Sequence, residues 1–270
     1  MCTSFAAYYG CPLYGMNFDF PQVDIKVKIQ KVTAVKFICF YIYVFNHYSP
    51  LVGMNEYGDF VNLQELHLED DVNQLEEYHA TKQIDGLQLF FDYLNRRITI
   101  AEILATDCKT KLKLPANYKI HNLFATLDGQ ATIVEGIKGK LWQKKIAGQE
   151  LIMTNFAHAL YPYNTIPDLH WVGAERYIAT SRLLKEKKHT FDIKHAMDIL
   201  QSTLQTKGDY PTQCSWVFDP TAQIVYFRRT EKMDNVWKIS LQDETIEKTD
   251  DMQAPTIKIG PAGMVVSLLE

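Results

Sequence analysis

Residues 2–20, CTSFAAYYGCPLYGMNFDF, set the architecture that the rest of the chain is expected to follow. Residues 3–9 and 13–20 are rich in aromatic and apolar side chains, which predicts two short strands. The Gly10-Cys11-Pro12 segment between them is typical of a turn. A hairpin of this length brings Asp19 back beside the start of the chain. A carboxylate in that place can hold an α-ammonium group or a thiol in position.

The second residue carries the reactive groups that this hairpin would position. Removal of Met1 would leave Cys2 with a free α-amine, and the small side chain of Cys2 suits that removal. The pKa of an α-amine is about 7.7–8.0, so the amine can act as a base near neutral pH. A thiol has a pKa of about 8.5 and becomes a strong nucleophile once it is deprotonated. Most cysteines at position two have no catalytic role. The residues that follow Cys2 must therefore show whether it is a nucleophile or a cysteine without a function.

The segments CTSF and YGMNFD resemble the start of the choloylglycine hydrolase family of N-terminal-nucleophile hydrolases. That family includes conjugated bile salt hydrolases and penicillin V acylases. Its members typically begin Cys-Thr-x and carry Gly-Arg-Asn-x-Asp at about the same distance. Gly15, Asn17 and Asp19 match this pattern, whereas Met16 stands where the family usually has arginine.

The resemblance continues along the chain through segments that keep the family's order. They are residues 53–58 (GMNEYG), residues 121–129 with 133–135 (a hairpin), residues 152–155 (IMTN), residues 175–177 (ERY), and residues 212–215 (TQCS) leading to Tyr226. The resemblance implies an α+β protein with a four-layer αββα fold, in which two stacked antiparallel sheets lie between helix layers. One N-terminal-nucleophile hydrolase domain would span residues 1–270, as a shorter version of the known members.

The resemblance also implies a role for each of four side chains. Cys2 would attack an amide carbonyl and form a thioester. Asp19 would orient the α-amine, although a capped or surface carboxylate is the simpler explanation of an isolated aspartate. Asn155 would donate its side-chain amide to the developing oxyanion, a contact whose loss costs roughly 10²–10³ in rate; an ordinary turn asparagine is the alternative. Arg176 would favour the thiolate of Cys2 by its charge, and a helix-surface ion pair is the alternative.

Three further residues are weighed against this set. Arg182 follows Arg176 by nearly two helical turns and is the alternative cation. The family's second oxyanion asparagine has no clean counterpart, since counting along the chain gives Glu65 and a slip of one residue gives Gln64. Gln64 can donate a hydrogen bond and an ionised Glu65 cannot, so Gln64 is the candidate substrate-binding residue. Asn17 is expected to be structural and to bond the backbone.

Met16 is the main departure from the family pattern. An arginine lowers the pKa of a nearby thiol and forms directional hydrogen bonds, whereas a methionine fills space. Three consequences are open. The enzyme runs with Arg176 alone at a reduced or altered rate, it favours a more apolar substrate around Cys2, or it has lost activity and kept the fold. We favour the first two together.

Composition limits the partners and the cofactors. The chain has 270 residues, 47% hydrophobic and 22% charged, with a formal net charge of −4. These values are ordinary for a globular protein and argue against nucleic acid or an anionic membrane as a partner. The five cysteines and eight histidines show no metal-ligand spacing, so no metal and no other cofactor is expected. No secretory signal is recognisable, and residues 37–45 are too short to span a membrane. Because the number of cysteines is also odd, a reduced, cytoplasmic setting is expected.

Periodicity predicts strands and helices in blocks. Residues 24–32 alternate apolar and polar side chains, as a half-exposed strand does, and residues 37–45 form a buried strand. Residues 99–102 form a capping box before a short helix. The other predicted elements are a helix with Ile84, Leu87, Phe91 and Leu94 on one face, a β block over 118–155, a helix over 168–187, a helix with Ile193, Met197, Leu200 and Leu204 on one face, and strands over 215–228 and 236–241.

The sequence therefore predicts hydrolysis of a non-peptide linear amide C–N bond. The substrate would be a small N-acyl amide, such as a bile salt conjugate or a penicillin V type compound. Aromatic residues near the expected site suit an apolar acyl group, although core packing also explains them: Phe18, Phe20, Phe156, Tyr161 and Tyr163. The alternative is a catalytically impaired relative that binds small molecules or serves as a scaffold. The resemblance also implies a homo-oligomer, either a tetramer or a dimer.

Overall fold

The secondary structure follows the predicted blocks of strands and helices. The computed structural model describes residues 2–69, 79, 82–106, 110–113, 119–161, 167–249 and 254–269. The strands are, in chain order, β1 (Cys2–Ala7), β2 (Leu13–Asp19), β3 (Ile25–Val32), β4 (Val35–Val44), β5 (His47–Asn55), β6 (Phe60–Asn62), β7 (Gln64–Glu65), β8 (Lys82–Asp85), β9 (Thr110–Lys113), β10 (Ile120–Ala125), β11 (Ala131–Ile137), β12 (Lys140–Lys145), β13 (Glu150–Met153), β14 (Thr212–Asp219), β15 (Ile224–Arg229), β16 (Trp237–Ser240), β17 (Thr245–Lys248), β18 (Ile257–Lys258) and β19 (Met264–Val265). The α-helices within these described residues are α1 (Gly86–Leu94), α2 (Ile100–Leu104), α3 (Ala174–Lys187) and α4 (Ile193–Ser202).

The predicted first hairpin lies inside a large antiparallel sheet. β1 pairs with β2 in a register that sets Cys2 opposite Phe18 and Thr3 opposite Asn17. Over the described residues, this first sheet has the strand order β13-β1-β2-β14-β15-β16-β17-β18. The hairpin is therefore flanked by β13 and β14, which both come from the second half of the chain. This order brings the residues that follow β13 back to the start of β1.

A second antiparallel sheet is built from the middle of the chain. Its strand order, again over the described residues, is β12-β11-β10-β6-β5-β4-β3-β19, and β7 pairs with β10 beside this path. The predicted turn at residues 53–58 joins β5 to β6, and the predicted hairpin near residues 121–135 is formed by β10 and β11. β8 and β9 form a separate parallel pair.

The two large sheets stack face to face and carry helices on their outer faces. An apolar cluster that includes Met16 and Trp216 fills the space between the sheets. α3 and α4 pack on the outer face of the first sheet, in a cluster around Phe5 and Leu200. α1 and α2 pack on the outer face of the second sheet, in a cluster around Phe90. The predicted four-layer αββα arrangement of an α+β protein is thus confirmed.

Side-chain alternation along β1 divides its residues between two layers. Cys2 and Ala6 belong to the cluster between the sheets, whereas Phe5 and Ala7 belong to the cluster under α3 and α4. Successive side chains of a strand point to opposite faces, so Ser4 shares the inter-sheet side with Cys2. The start of the chain is therefore in contact with the core on one face and with the helix layer on the other.

Gly15, one of the matched motif residues, is required by packing. A Cβ at this position would lie 2.3 Å from Cζ of Phe5. The Phe5 ring lies across Gly15 and meets Phe191 edge to face, with ring centroids 6.3 Å apart. A glycine within a strand commonly marks such a close approach. This motif position therefore reflects how the hairpin packs under the helices.

The capping box is confirmed, whereas four other details differ from the sequence prediction. Ile84 lies in β8, and the helix predicted to include it begins at Gly86. The helix predicted from residue 168 begins only at Ala174, because Gly173 before it has a φ of 88°, which no right-handed helix contains. Leu204 lies beyond the end of α4. The short strands β17, β18 and β19 were not predicted.

Several negative findings hold for the described part of the chain. No helix there is long and apolar enough to cross a membrane. Its His, Cys, Asp and Glu side chains form no group of three or more that would hold a metal ion. The described cysteines are free thiols: Cys2, Cys11, Cys39 and Cys214. Three positions named in the sequence analysis lie outside the described residues: Met1, Tyr163 and residue 118.

Candidate active site

Cys2 begins β1 and faces the core between the sheets. The residue is 4% exposed, and Phe18 lies opposite it on β2. Burial raises the pKa of the Cys2 thiol to about 11, because a buried thiolate loses its hydration; the charge of Arg176 acts in the opposite direction. A thiol with this pKa is protonated at neutral pH. It therefore needs a base before it can act as a nucleophile.

Asn155 follows β13 and holds the backbone nitrogen of Cys2. Its Oδ1 accepts from Cys2 N at 2.9 Å and from Arg176 Nη2 at 2.8 Å. Its Nδ2 donates to the carbonyl oxygen of Glu65 at 2.8 Å. Because the first two partners can only donate and the third can only accept, these contacts fix the orientation of the side-chain amide. Asn155 is completely buried.

Arg176, in the first turn of α3, ties that helix to the start of the chain. Its guanidinium donates to the carbonyl oxygen of Cys2. It also donates to Thr3 Oγ1 and to Asn155 Oδ1, both at 2.8 Å. A guanidinium presents several N–H donors in a fixed plane, which suits this set of acceptors. The side chain is 12% exposed; burial lowers its pKa, and the neighbouring Asp19 opposes that shift.

The close approach of α3 to Asn155 depends on Gly173. A Cβ at this position would lie 2.9 Å from Thr154 Cβ, 3.0 Å from Arg176 Nη2 and 3.1 Å from Asn155 N. The φ of 88° is also one that residues other than glycine rarely adopt. Gly173 thus allows the start of α3 to pack closely against the residues that follow β13.

Asp19 ends β2 and is buried beside Arg176. Its Oδ2 lies 3.6 Å from the guanidinium, Thr212 donates to Oδ1 at 2.6 Å, and Gln205 donates to Oδ2 at 2.7 Å. Burial raises the pKa of Asp19, while Arg176 and the two hydrogen-bond donors act to lower it. Asp19 also acts on Cys2 directly: its charge raises the pKa of the Cys2 thiol, and a hydrogen bond from its backbone lowers it. Its predicted role in orienting an α-amine stays a prediction.

Gln64 contacts the site through Ser4. Ser4 Oγ accepts hydrogen bonds from Gln64 Nε2 and, at 2.9 Å, from Asn62 Nδ2. Asn62 Oδ1 accepts from the backbone N–H of Leu123 at 3.0 Å, so Asn62 joins the two sheets directly beside β1. Gln64 Oε1 is buried and has no hydrogen-bond partner among the described residues. The predicted substrate contact of Gln64 stays a prediction.

Met16 is completely buried between the sheets. It lies opposite Ser4 on β1 and opposite Trp216 on β14. Its sulfur is 3.6 Å from Asn62 Nδ2, a weak acceptor contact. Met16 belongs to the apolar cluster between the sheets, which favours a neutral side chain over a guanidinium.

Two other sequence predictions are resolved by the contacts. Asn17 donates to the carbonyl oxygen of Leu200 at 2.8 Å, which agrees with the expected structural role. Arg182 is 68% exposed and lies 3.9 Å from Glu186, on the solvent side of α3. Arg176 is therefore the cation that contacts Cys2.

Sequence reasoning missed three residues that complete the site: Asn62, Gln205 and Thr212. Each is an ordinary polar residue whose role depends on contacts between segments that are far apart in the chain. Thr212 had a partial signal, because it opens the segment TQCS that resembles the family. No local pattern marks Asn62 or Gln205.

Comparison with known proteins gives likeness in structure only. No protein-family model matches the sequence, and no curated protein matches it. A mutant of conjugated bile acid hydrolase from Clostridium perfringens is similar with a TM-score of 0.67 and 15% identity, over 97% of this chain and 98% of that chain. Penicillin V acylase from Agrobacterium tumefaciens is similar with a TM-score of 0.65 and 15% identity, over 96% of this chain and 92% of that chain. A Caenorhabditis elegans ortholog of N-acylethanolamine-hydrolyzing acid amidase has a TM-score of 0.54 and 17% identity, over 81% and 93%.

These similarities show the fold. The chain has the αββα fold of conjugated bile acid hydrolase and penicillin V acylase along nearly its whole length, as the sequence resemblance implied. The neighbours are amide hydrolases by name. Fold alone does not fix an activity, so the chemistry of this chain must be argued from its own residues.

Proposed function

We propose that this protein is an amidohydrolase that cleaves linear, non-peptide amide bonds with Cys2 as an N-terminal nucleophile. The observation that supports this most directly is the 2.9 Å contact between Cys2 N and Asn155 Oδ1. A side chain that holds the first nitrogen of β1 in place is what an α-amine base requires. The bond from Arg176 to the carbonyl of Cys2 fixes the other end of the same residue. The fold shared with amide hydrolases adds support.

In the proposed mechanism the α-amine and the thiol of Cys2 act together. Once Met1 is removed, the nitrogen of Cys2 is an amine with an ordinary pKa of about 7.7–8.0. The amine takes the thiol proton, and the sulfur attacks the carbonyl carbon of the substrate. The same proton then passes to the leaving amine as the C–N bond breaks, which leaves a thioester on Cys2. Water attacks the thioester with its proton going to the α-amine, and the sulfur regains that proton as the carboxylic acid departs.

Asn155 supplies a donor for the negative charge that develops on the substrate oxygen. An asparagine amide carries two hydrogens on Nδ2, and one of them is donated to the Glu65 carbonyl. The second hydrogen is left for an oxyanion. Arg176 adds a fixed positive charge close to Cys2, which favours the thiolate during attack.

The substrate class we propose has an apolar acyl part. Phe18, opposite Cys2, stacks on Phe20 with ring centroids 5.4 Å apart. Phe20 in turn meets Tyr210, which is 38% exposed. This aromatic path leads from the nucleophile to the surface and suits an acyl chain or ring. The neutral Met16 in the same layer agrees with an apolar group. Phe156, another predicted contact, is buried against His158 and belongs to the core.

The test is amine release from a panel of N-acyl amides. The panel holds penicillin V, conjugated bile salts, N-acyl homoserine lactones, N-acyl amino acids and N-acylethanolamines, and intact mass records whether Met1 is absent. The variant Cys2→Ala is expected to abolish release and to keep the melting temperature of the wild type. Cys11→Ala is the matched control, because Cys11 is an exposed thiol in the turn of the same hairpin.

Each result has a defined meaning. Release that depends on Cys2 and not on Cys11 supports the proposal and identifies the acyl class. No release from any compound by a chain that lacks Met1 would refute it. The alternative of an impaired relative, which binds small amides without cleaving them, would then be preferred, with Met16 as its first explanation.

A further inference from the structure

A buried histidine lies directly behind the residues that carry Asn155. His158 begins the 3₁₀ turn His158–Leu160, and its Nε2 accepts the backbone N–H of Thr154 at 2.9 Å. Both residues are completely buried. A backbone N–H can only donate, so Nε2 of His158 must be unprotonated here. The ring is therefore neutral and carries its proton on Nδ1.

Glu135 fixes the main chain of the same turn. Its two carboxylate oxygens accept the N–H of His158 at 2.9 Å and the N–H of Ala159 at 2.8 Å. His121 Nδ1 lies 2.9 Å from the same carboxylate. Glu135 and His121 are both completely buried. The main chain of the turn is thus attached to β11, which fixes the position of the His158 backbone from which the imidazole projects.

The surroundings of His158 favour its neutral form. Phe156 packs against the imidazole with ring centroids 3.9 Å apart and an interplanar angle of 34°. The titratable groups that face the imidazole are His121 on β10, Glu135 on β11, Lys144 on β12 and Tyr177 on α3. Burial lowers the pKa of His158 well below its ordinary value, and the charges of His121 and Lys144 act in the same direction.

The unused atoms of this cluster show that packing alone does not explain a histidine here. Nδ1 of His158 and Nε2 of His121 are buried and have no hydrogen-bond partner among the described residues. A buried polar atom without a partner is destabilising. An apolar ring would fill the same space without that cost. The atom of His158 that is used is Nε2, and its partner is the residue next to Asn155.

We propose that neutral His158 is a positioning residue, which holds Asn155 against the nitrogen of Cys2 through the backbone of Thr154. Protonation of Nε2 would set two N–H groups against each other at 2.9 Å. Residues 154–155 would then have to move, and with them the acceptor that lies 2.9 Å from Cys2 N. This inference rests on the proposed amidase function, since it assigns His158 a part in that site.

Two substitutions separate this role from a purely structural one. In His158→Gln the amide oxygen reaches the position of Nε2 and accepts the Thr154 N–H, but it does not titrate. In His158→Asn, the matched control, the amide reaches only the position of Nδ1. We expect His158→Gln to keep kcat within about threefold of the wild type at pH 7.5. We expect His158→Asn to lose about 10–100-fold in kcat with little change in KM, since small misplacements of a catalytic group have effects of this order.

The pH profile gives a second readout that a structural role would not change. As the pH falls, protonation of the α-amine lowers the wild-type rate in proportion to one proton. Below the pKa of His158 the imidazole takes up a second proton, and the rate then falls more steeply with decreasing pH. The pH–rate profile of His158→Gln is expected to lack this steeper part. Equal kcat and equal profiles in both variants and the wild type would overturn the inference.

Nuclear magnetic resonance tests the positioning independently of turnover. The ring nitrogens of His158 in the wild-type protein should show the Nδ1–H tautomer from pH 5.5 to 8. The side-chain amide signals of Asn155 should shift in His158→Asn and stay in place in His158→Gln. A charged ring at pH 7 would overturn the inference, as would unmoved Asn155 signals in a folded His158→Asn variant. If the wild type hydrolyses no amide, the proposed function fails, and these signals still decide whether His158 positions Asn155.

Discussion

Replacement of Gly173 by alanine should weaken both the fold and the candidate site. The added methyl group would lie 2.9 Å from Thr154 Cβ, 3.0 Å from Arg176 Nη2 and 3.1 Å from Asn155 N. Two of these neighbours are residues that hold Cys2 in place. The start of α3 and residues 154–155 must therefore separate, and the bond from Arg176 to Asn155 lengthens with them.

The magnitude can be divided into two parts with an internal control. Gly173 and Gly208 both have a φ of 88°, and a Cβ at Gly208 would meet nothing within 4 Å. A left-handed backbone costs a residue with a side chain about 1–2 kcal/mol, which is the whole effect expected for Gly208→Ala. Crowding at Gly173 adds about 1–3 kcal/mol. The expected loss in the free energy of unfolding is therefore about 2–5 kcal/mol for Gly173→Ala.

Urea unfolding followed by circular dichroism measures the two losses, and amine release from the best substrate of the panel measures the rates. We expect Gly208→Ala to leave kcat unchanged and Gly173→Ala to lower it about 10–100-fold. If the two variants lose equal stability and both keep the wild-type rate, the close approach of α3 to Asn155 is not what assembles the site. That result would refute the reasoning.

Three further predictions concern the buried layer and its charges. Met16→Leu should cost less than about 1.5 kcal/mol in the free energy of unfolding, whereas Met16→Arg should cost about 3–5 kcal/mol because its charge would be completely buried beside Trp216; equal losses for the two variants in urea unfolding would contradict this. In protein that keeps Met1, iodoacetamide at pH 8 should label Cys2 far more slowly than the exposed Cys11, since a pKa of about 11 leaves roughly one Cys2 thiol in a thousand ionised. Equal labelling rates for the two cysteines in peptide mass mapping would contradict this prediction. The urea midpoint should fall as the pH drops below about 6.5, the ordinary pKa of histidine, because unfolded His158 then binds a proton that the folded ring, with its lowered pKa, does not bind. His158→Gln should remove this contribution, and a pH slope that is the same in the variant and the wild type would contradict the prediction.

The parts of the fold that sequence could predict are those encoded by neighbouring residues. The hairpin of β1 and β2 follows from two apolar runs around Gly10-Cys11-Pro12, and the start of α2 follows from Thr99 and Glu102 in a capping box. The start of α3 was predicted too early, because its position depends on the conformation of Gly173. Gly173 has a φ of 88° and lies close to Thr154, and hydrophobic periodicity contains neither feature.

The residues of the candidate site also fall into those that sequence could predict and those that depend on packing. Cys2, Asp19, Asn155 and Arg176 could be named because a family resemblance marks them, and their convergence in space is a finding of the structure. The roles of Asn62 and His158 could not be predicted. Asn62 matters because the second sheet lies across β1, and His158 matters because its ring folds back on Thr154. Both contacts depend on three-dimensional packing between layers.

The pairing of β1 with β13 has a consequence for the timing of protein synthesis. In the folded chain Cys2 is 4% exposed and lies beside residues that follow β13. The ribosome adds about 5–20 residues each second, so the roughly 150 residues between Cys2 and β13 take about 8–30 s to make. Under the proposed function, an aminopeptidase has this interval to remove Met1 from an open chain end. Chains that fold before Met1 is removed would be stable and inactive. The yield of active protein would therefore depend on the rate of Met1 removal relative to the rate of folding.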